Sequence, residues 1–332
     1  MRPGLPCIGA ASLILALLCA GNALAQGKTK ADESAYPSRP VRFIIPYPAG
    51  GATDVLSRLV SERLAGRLGQ PVVGDNRGGA AGRLGLELLA KSPADGYTIS
   101  MPSSGAAISV TLIPNLPYNP LRDFTLVSTV ADIPSLIVIP PSLPAATLKE
   151  FIALARARPG GYNYGSGGVG STNHISAEHF QLVAGIRLSH VPYKSSAGGL
   201  PDVISGQVQM MLIGPPAAAP HVASGRLRAL AIVYHKRFAG MPEVPTTAEA
   251  GLPGVDQPTW YALAVPARTP AGIVGRLNRE LVGILNTPDM AKQLLLIGAE
   301  PRPRTIEDSA AYIRSEVDKW GKVIKAANVK AE

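Results

Sequence analysis

Residues 41–68 read VRFIIPYPAGGATDVLSRLVSERLAGRL: an apolar run, a glycine-rich break, then apolar residues at helical spacing. The pattern predicts strand, glycine loop, helix. In an open α/β sheet such a loop lies at the carboxyl end of its strand, where ligands bind. The start of the helix aims unsatisfied N–H groups and the positive end of its dipole at that place, so a small anion is the natural guest.

Upstream of this unit, Arg2 precedes an apolar stretch at residues 8–20 that is too short to span a bilayer, and small residues follow at Ala23 and Ala25. Residues 1–25 therefore read as a secretory signal peptide cut before Gln26. Residues 28–40 are polar with prolines and read as a linker. Both cysteines, Cys7 and Cys19, fall within the removed segment, so the mature chain is expected to carry no disulfide, thiolate metal ligand or cysteine nucleophile. Lipid attachment at Cys19 is disfavoured by Leu18, where a small residue is needed. The remaining length, about 300 residues, suffices for two domains with real cores. No later apolar run has the length of a membrane span. An exported monomer with no membrane insertion of its own is expected. The formal net charge is +9, but Lys and Arg are scattered among acids and aromatics make up only 5% of the chain. Nucleic acid is accordingly not an expected partner.

Downstream, PVVGDNR reads as a strand, RLGLELLAK as a helix and YTISM as a strand. With the opening unit this makes βαβαβ, hence parallel strands with right-handed crossovers. Turns are expected at Ser103-Ser104-Gly105 and at residues 115–120. LVSTVA and LIVIP flank a break at residues 132–134 and read as one strand passing from one domain to another. A helix around Leu148, Phe151 and Ile152 ends at Pro159-Gly160-Gly161. The opening pattern then returns in form: strand YNY, loop GSGGVGST, and a helix from Asn173 with Ile175, His179, Phe180, Leu182 and Val183 on or near its buried face. Strands LSHVPY, VQMMLIG, RLRALAIV and WYALAVPA follow, with a helix at LPDVISG and a turn at Gly214-Pro215-Pro216. Two helices are expected to end the chain. The last carries Ile306, Ala310, Ile313, Val317, Trp320 and Ile324 at intervals of three or four, a core stripe. Trp260 reads as core as well.

The second loop matches GxGxxG at Gly165, Gly167 and Gly170, but a dinucleotide site needs an acid about twenty residues on, where this chain has His190-Val191-Pro192. In a P-loop reading Ser171 stands in the lysine position. No GxSxG surrounds a serine, and no HExxH occurs. His174 and His179 stand about 140° apart around a helix and share no face. Hence no cofactor, no metal and no catalytic constellation is expected. What survives is binding. The two loops offer backbone N–H groups and the small hydroxyls of Thr53, Ser166, Ser171 and Thr172 at helix starts, a set suited to holding one carboxylate from both sides. Asp54 has two open readings: it caps its helix, or it faces the cleft and accepts from the ligand. Tyr193 and Lys194 end a strand opposite, and Ser104 joins the candidates from its turn.

Ordered blocks across nearly the whole mature chain resemble one family. They are YPSRPVRFIIPYPAGGATD, DNRGGAAGRLG, PADGYTI, NYGSGGVGSTNH, HVPYK, VPTTAEAGLPG and TWYALAVPARTP. The chain is similar to the Bug receptors, the extracytoplasmic solute-binding receptors of tripartite tricarboxylate transporters. It departs at Gly78, where proline is usual, at Arg83, where asparagine is common, at Ser195, where glycine usually follows VPYK, and at Met211-Leu212, where an aromatic is frequent. The resemblance implies an α/β fold of the type II periplasmic binding protein (Venus flytrap) class, two α/β domains with a two-crossing hinge. Residues 36–131 with 232–332 would form the first domain and residues 132–231 the second. It implies that Pro48, Ala49, Gly50, Gly51, Thr53 and Asp54 of the first loop grip the ligand against Ser166, Gly167, Gly170, Ser171, Thr172 and His174 of the second. Ser104, Tyr193 and Lys194 complete the candidate site. Family ligands are amino acids, di- and tricarboxylates and aromatic acids, captured in the periplasm and passed to the membrane permease subunits. Two other readings stand beside this one: a signalling receptor that docks on a sensor kinase, and an exported enzyme using Ser166, Ser171 and His174.

Overall fold

The computed structural model describes residues 36–330. The expected signal peptide, both cysteines and the first part of the linker lie outside the described residues. Two α/β domains are built on two sheets. In the first, β1 (Val41–Ile45) lies between β2 (Val72–Asn76) and β3 (Thr98–Ser100), all parallel, as the crossovers through α1 (Ala52–Leu68) and α2 (Arg83–Lys91) require. Beyond β3 the sheet turns antiparallel: β10 (Thr259–Pro266) pairs with β3 and, over eight positions, with β4 (Phe124–Ile133). A short β11 (Glu300–Pro301) closes that edge. The second sheet runs β7 (Ser189–Pro192), β6 (Asn163–Ser166), β8 (Met210–Ile213), β5 (Ser135–Ile139), β9 (Arg228–Val233).

Pro134 alone separates β4 from β5, yet they belong to different sheets. Proline has no N–H to give to a ladder, so the pairing ends there and the chain leaves the first sheet.

Each sheet has its own core. Phe43, Ile44 and Ile45 of β1 are fully buried in the first domain, and Trp260 and Trp320 sit in a cluster with Ile313, Val317 and Ile324. In the second, Ile137, Tyr164, Leu212 and Ala231 pack under α4 (Leu148–Ala157) and α5 (Thr172–Ala184), where Phe151 and Phe180 stack at 6.5 Å. Thr147 and Glu150 form a reciprocal capping box at the start of α4.

The structure corrects four expectations. The turn at Ser103-Ser104-Gly105 opens a helix, α3 (Ser104–Leu112). The turn at Gly214-Pro215-Pro216 opens another, α7 (Pro215–Ala223), which follows the short α6 (Leu200–Ser205). Pro215 and Pro216 in the first turn displace no intrahelical N–H, so Gly214-Pro215-Pro216 is compatible with a helix start, while Pro220 inside the helix forgoes one bond. Three helices rather than two end the chain: α8 (Ala271–Leu285), α9 (Pro288–Leu296) and α10 (Ile306–Ala326). Leu182 and Val183 are exposed on α5, whose buried side is carried instead by His174, Ile175, Ala177, Phe180 and Ala184.

Candidate functional site

The first loop ends at Gly51, which precedes α1 and has no side chain to cap it. Asp54, in the first turn, reaches back to the loop instead. Its Oδ2 accepts from the N–H of Gly50 at 3.0 Å, while Oδ1 accepts from Asn76 Nδ2 at 2.9 Å and meets Arg58 at 3.0 Å. The Arg58 guanidinium holds the carboxyl down at about 2, with the Gly50 and Asn76 bonds adding to the effect against the opposing pull of burial. Only 4% of Asp54 is exposed. Of the two readings, the structure shows a carboxylate turned onto its own loop.

The second loop is tied in a parallel way. Ser171 caps α5, its Oγ accepting from the His174 N–H at 3.3 Å, and His174 Nδ1 accepts from the Gly170 N–H at 3.0 Å. An accepting Nδ1 means a neutral ring protonated on Nε2. Burial, and then the neighbouring His190 stacked at 4.0 Å, push His174 down to about 4. Ser166 is fully buried; its Oγ lies 2.7 Å from His190 Nε2 and accepts from the Gly168 N–H at 3.1 Å. Each loop thus ties one glycine amide to the side chain four residues on, an anion in one case and a neutral imidazole in the other.

Between the loops lies a cleft of about 590 Å³. Pro48, Ala49, Gly51 and Thr53 line it from one side, and Gly167, Gly170, Ser171, Thr172 and Lys194 from the other. Gly50, Asp54, Ser104, Ser166, His174 and Tyr193 do not line it. The last four are engaged elsewhere: Ser104 Oγ accepts from the Trp260 N–H at 3.0 Å, and the Tyr193 hydroxyl donates to Asp202 Oδ2 at 2.5 Å. Ser166 and His174 shape the second loop from beneath.

The cleft also holds residues that local pattern did not single out: Tyr47, Ala52, Ala81, Ser103, Gly105, Ser109, Asn173, Thr259 and Tyr261. The Tyr47 hydroxyl meets Ser103 Oγ at 3.1 Å, and Tyr261 bonds Thr53. Burial pushes both phenols upward, so they remain protonated. Asn173 is fixed by its Nδ2 donating to the Leu212 carbonyl at 2.6 Å. Ser103 and Gly105 belong to the start of α3, so three helix starts, those of α1, α3 and α5, surround one space. In each first turn the amides lack an intrahelical acceptor. The signal for the third was available: β3 is a neighbour of β1 in a parallel sheet, and its carboxyl end must open beside the first loop. Tyr261 and Thr259 had no local signal, because nothing in WYALAVPA says that β10 inserts beside β3.

Residues 56–329 match the family described as tripartite tricarboxylate transporter family receptor. The chain belongs to that family, the Bug receptors. It is 38% identical over 297 residues to Protein BugT of Bordetella pertussis, covering 89% of this chain and 91% of the relative. The fold resembles R. palustris Rpa4515 with adipate at a TM-score of 0.78 and 36% identity, covering 89% of this chain and 99% of that one. It resembles MatC from Rhodopseudomonas palustris with bound malate at 0.74 and 31% identity, covering 87% and 100%.

Two departures from the Bug pattern have physical consequences here. A Cβ at Gly78 would stand 2.9 Å from the backbone nitrogen of Pro48, so in this receptor the glycine lets the first loop close down on residue 78. Met211 is fully buried, and its Cε reaches within 2.7 Å and 2.5 Å of where a Cβ would sit on Gly165 and Gly199. A flexible thioether fills the floor under the second loop.

Proposed function

We propose that the mature protein is a periplasmic receptor that captures a small carboxylate between its two domains and delivers it to the membrane permease of a tripartite tricarboxylate-type transporter, catalysing nothing. The observation that carries this reading is the meeting of two glycine loops, one from each sheet, on a cleft lined by amides and small hydroxyls. A carboxylate there accepts from Thr53, Ser171, Thr172 and the free amides of the helix starts, with helix dipoles supplying the field. The domains taken to close are the one built on β1–β4 and β10 and the one built on β5–β9, whose cores also take in Phe238, Met241, Val244, Leu252 and Val255; they join where β4 passes into β5 at Pro134 and where the chain runs from Val255 to β10, so the expected boundaries at 131/132 and 231/232 fall inside β4 and β9. The ligands printed for the two solved relatives, adipate and malate, support a small acid as cargo.

Native mass spectrometry of the exported protein as isolated tests this directly. One small-acid mass per chain is expected, and after its removal a carboxylate at a hundred times its Kd should stabilise the fold by about 2.7 kcal/mol. A chain that carries nothing and whose melting moves with no acid of a broad millimolar panel would overturn the reading.

A further inference from the structure

Helix α5 carries the second jaw of the cleft, and its two sides are buried in different domains. At about 100° per residue, Ala177, Phe180 and Ala184 fall on one side and Ile175 and His179 on the other. The first set is packed in the core of the second domain, beside Phe151. Ile175 is fully buried as well, but in the cluster of the first domain that holds Leu112, Trp260, Val317 and Trp320. Among the described residues it is the one buried member of that cluster that the second domain supplies. His179, one turn on, meets Trp320 in a T-shaped contact at 6.5 Å, and its Nδ1 lies 2.5 Å from Gln257 Nε2 in the crossing that leads to β10. Five residues before Ile175, Gly170 comes so close to the first domain that a Cβ there would stand 2.5 Å from Leu112 Cδ2.

When the domains part about Pro134 and the 256–258 crossing, α5 travels with the core that holds its broader side, and Ile175 is drawn out of the first domain into water. We propose that Ile175 is a positioning residue for capture: it locks α5 onto α3 and α10 when the cleft is closed, and so sets ligand affinity without touching the ligand. The inference rests on the capture by closure proposed above. Ile175 does not line the cleft, whereas Ser171 and Thr172, one turn before it, do. The Ile175 N–H donates to the Ser171 carbonyl at 3.1 Å, so the lock and the lining residues belong to one helical turn. In the ligand-free receptor the open form prevails and the side chain is hydrated. On closure its burial offsets part of the cost of bringing the domains together, and the ligand supplies the rest. The side chain therefore stabilises only the form that holds the ligand.

The test pairs calorimetric titration with thermal melting of the mature chain, stripped of ligand, as parent, Ile175→Ala, Ile175→Val and Leu182→Ala. The probes are succinate, malate, adipate, glutamate and benzoate. Whichever acid the parent binds should bind Ile175→Ala at least tenfold more weakly and Ile175→Val by an intermediate factor, as graded truncation of a fully buried isoleucine requires. The ligand-free melting temperature of Ile175→Ala should stay within about 2 °C of the parent, because the open form already exposes that side chain, and only the ligand-bound melt should fall. Leu182→Ala, exposed on the same helix, should change neither. A ligand-free melt of Ile175→Ala lowered by about 5 °C or more makes Ile175 an ordinary core residue and overturns the inference. An affinity of Ile175→Ala within about threefold of the parent overturns it equally. A parent that binds no probe overturns the carboxylate reading and this inference with it, a result seen before any variant is compared.

Discussion

Replacing Asp54 by Asn tests the claim that this carboxylate serves its own loop. In the folded protein the group titrates at about 2, against 3.8 for an ordinary Asp. At about 1.36 kcal/mol per pKa unit, the difference corresponds to about 2.5 kcal/mol. Arg58, the largest cause, is 56% exposed on its side chain and screened by water, which brings the expected loss to about 1 to 2 kcal/mol. Because the folded pKa is depressed, the stabilisation is fully present above about pH 5 and is lost as the pH falls through 2. Urea unfolding of Asp54→Asn and the parent, measured at pH 7, 5, 4, 3 and 2.5, should give a constant difference down to about pH 5 that then shrinks to about a third at pH 2.5. Ligand affinity at pH 7 should fall modestly, through loosening of Gly50. Parent-like stability at pH 7 combined with abolished binding would refute the reasoning, since the carboxylate would then be acting on the ligand.

Asp132 behaves in the opposite sense. It is 3% exposed at the end of β4, its Oδ1 has no hydrogen-bond partner, Arg302 Nε stands 3.5 Å from Oδ2, and burial raises its pKa to about 6. Its contribution is therefore present below pH 4 and lost as the pH rises through 6, so Asp132→Asn should stabilise the protein by about 2 kcal/mol at pH 8 and by nothing at pH 4, read from paired thermal melts. Gly170 has φ +76 and a would-be Cβ 2.5 Å from Leu112 Cδ2, whereas Gly50 has φ +85 and open space. Gly170→Ala should weaken ligand binding about tenfold, more than Gly50→Ala, and Leu112→Ala should restore part of the loss in a double-mutant titration. Ser104→Ala leaves the Trp260 amide without its acceptor in a fully buried place, which should cost about 1 to 3 kcal/mol in denaturant unfolding while leaving ligand affinity within twofold.

The opening unit was legible because three local signals agreed: a β-branched apolar run, a glycine break and apolar residues at helical spacing. The same held for NYGSGGVGST and the helix after it. Helix α3 was hidden by its composition. SGAAISVTL has small or apolar residues nearly all round, so no polar face marks the period, and its Ser-Ser-Gly start imitates a turn. Helix α7 was hidden by Pro215, Pro216 and Pro220. The site was legible loop by loop but not as an assembly. Tyr47, Ser103 and Tyr261 come together because β10 lies between β3 and β4, a fact of sheet order that no stretch of sequence contains. Conversely, Ser104, Ser166 and His174 lie beside cleft-lining residues in sequence without lining the cleft themselves. Whether a side chain on such a loop points outward or under it depends on partners as distant as Trp260 and His190.

The four-residue ties within the loops, Gly50 to Asp54 and Gly170 to His174, bear on the entropy of capture. A glycine loop free to wander would lose about 1–2 kcal/mol per residue on being ordered by its guest. With both glycine amides already fastened, that cost was met during folding, and the binding energy of a small acid with few atoms need not be spent on it. It also separates what holds the loops in shape from what the cargo touches. Side chains on the rim, Lys194 among them, can then be exchanged in evolution or by design to change which acid is taken, while the two loops stay as they are.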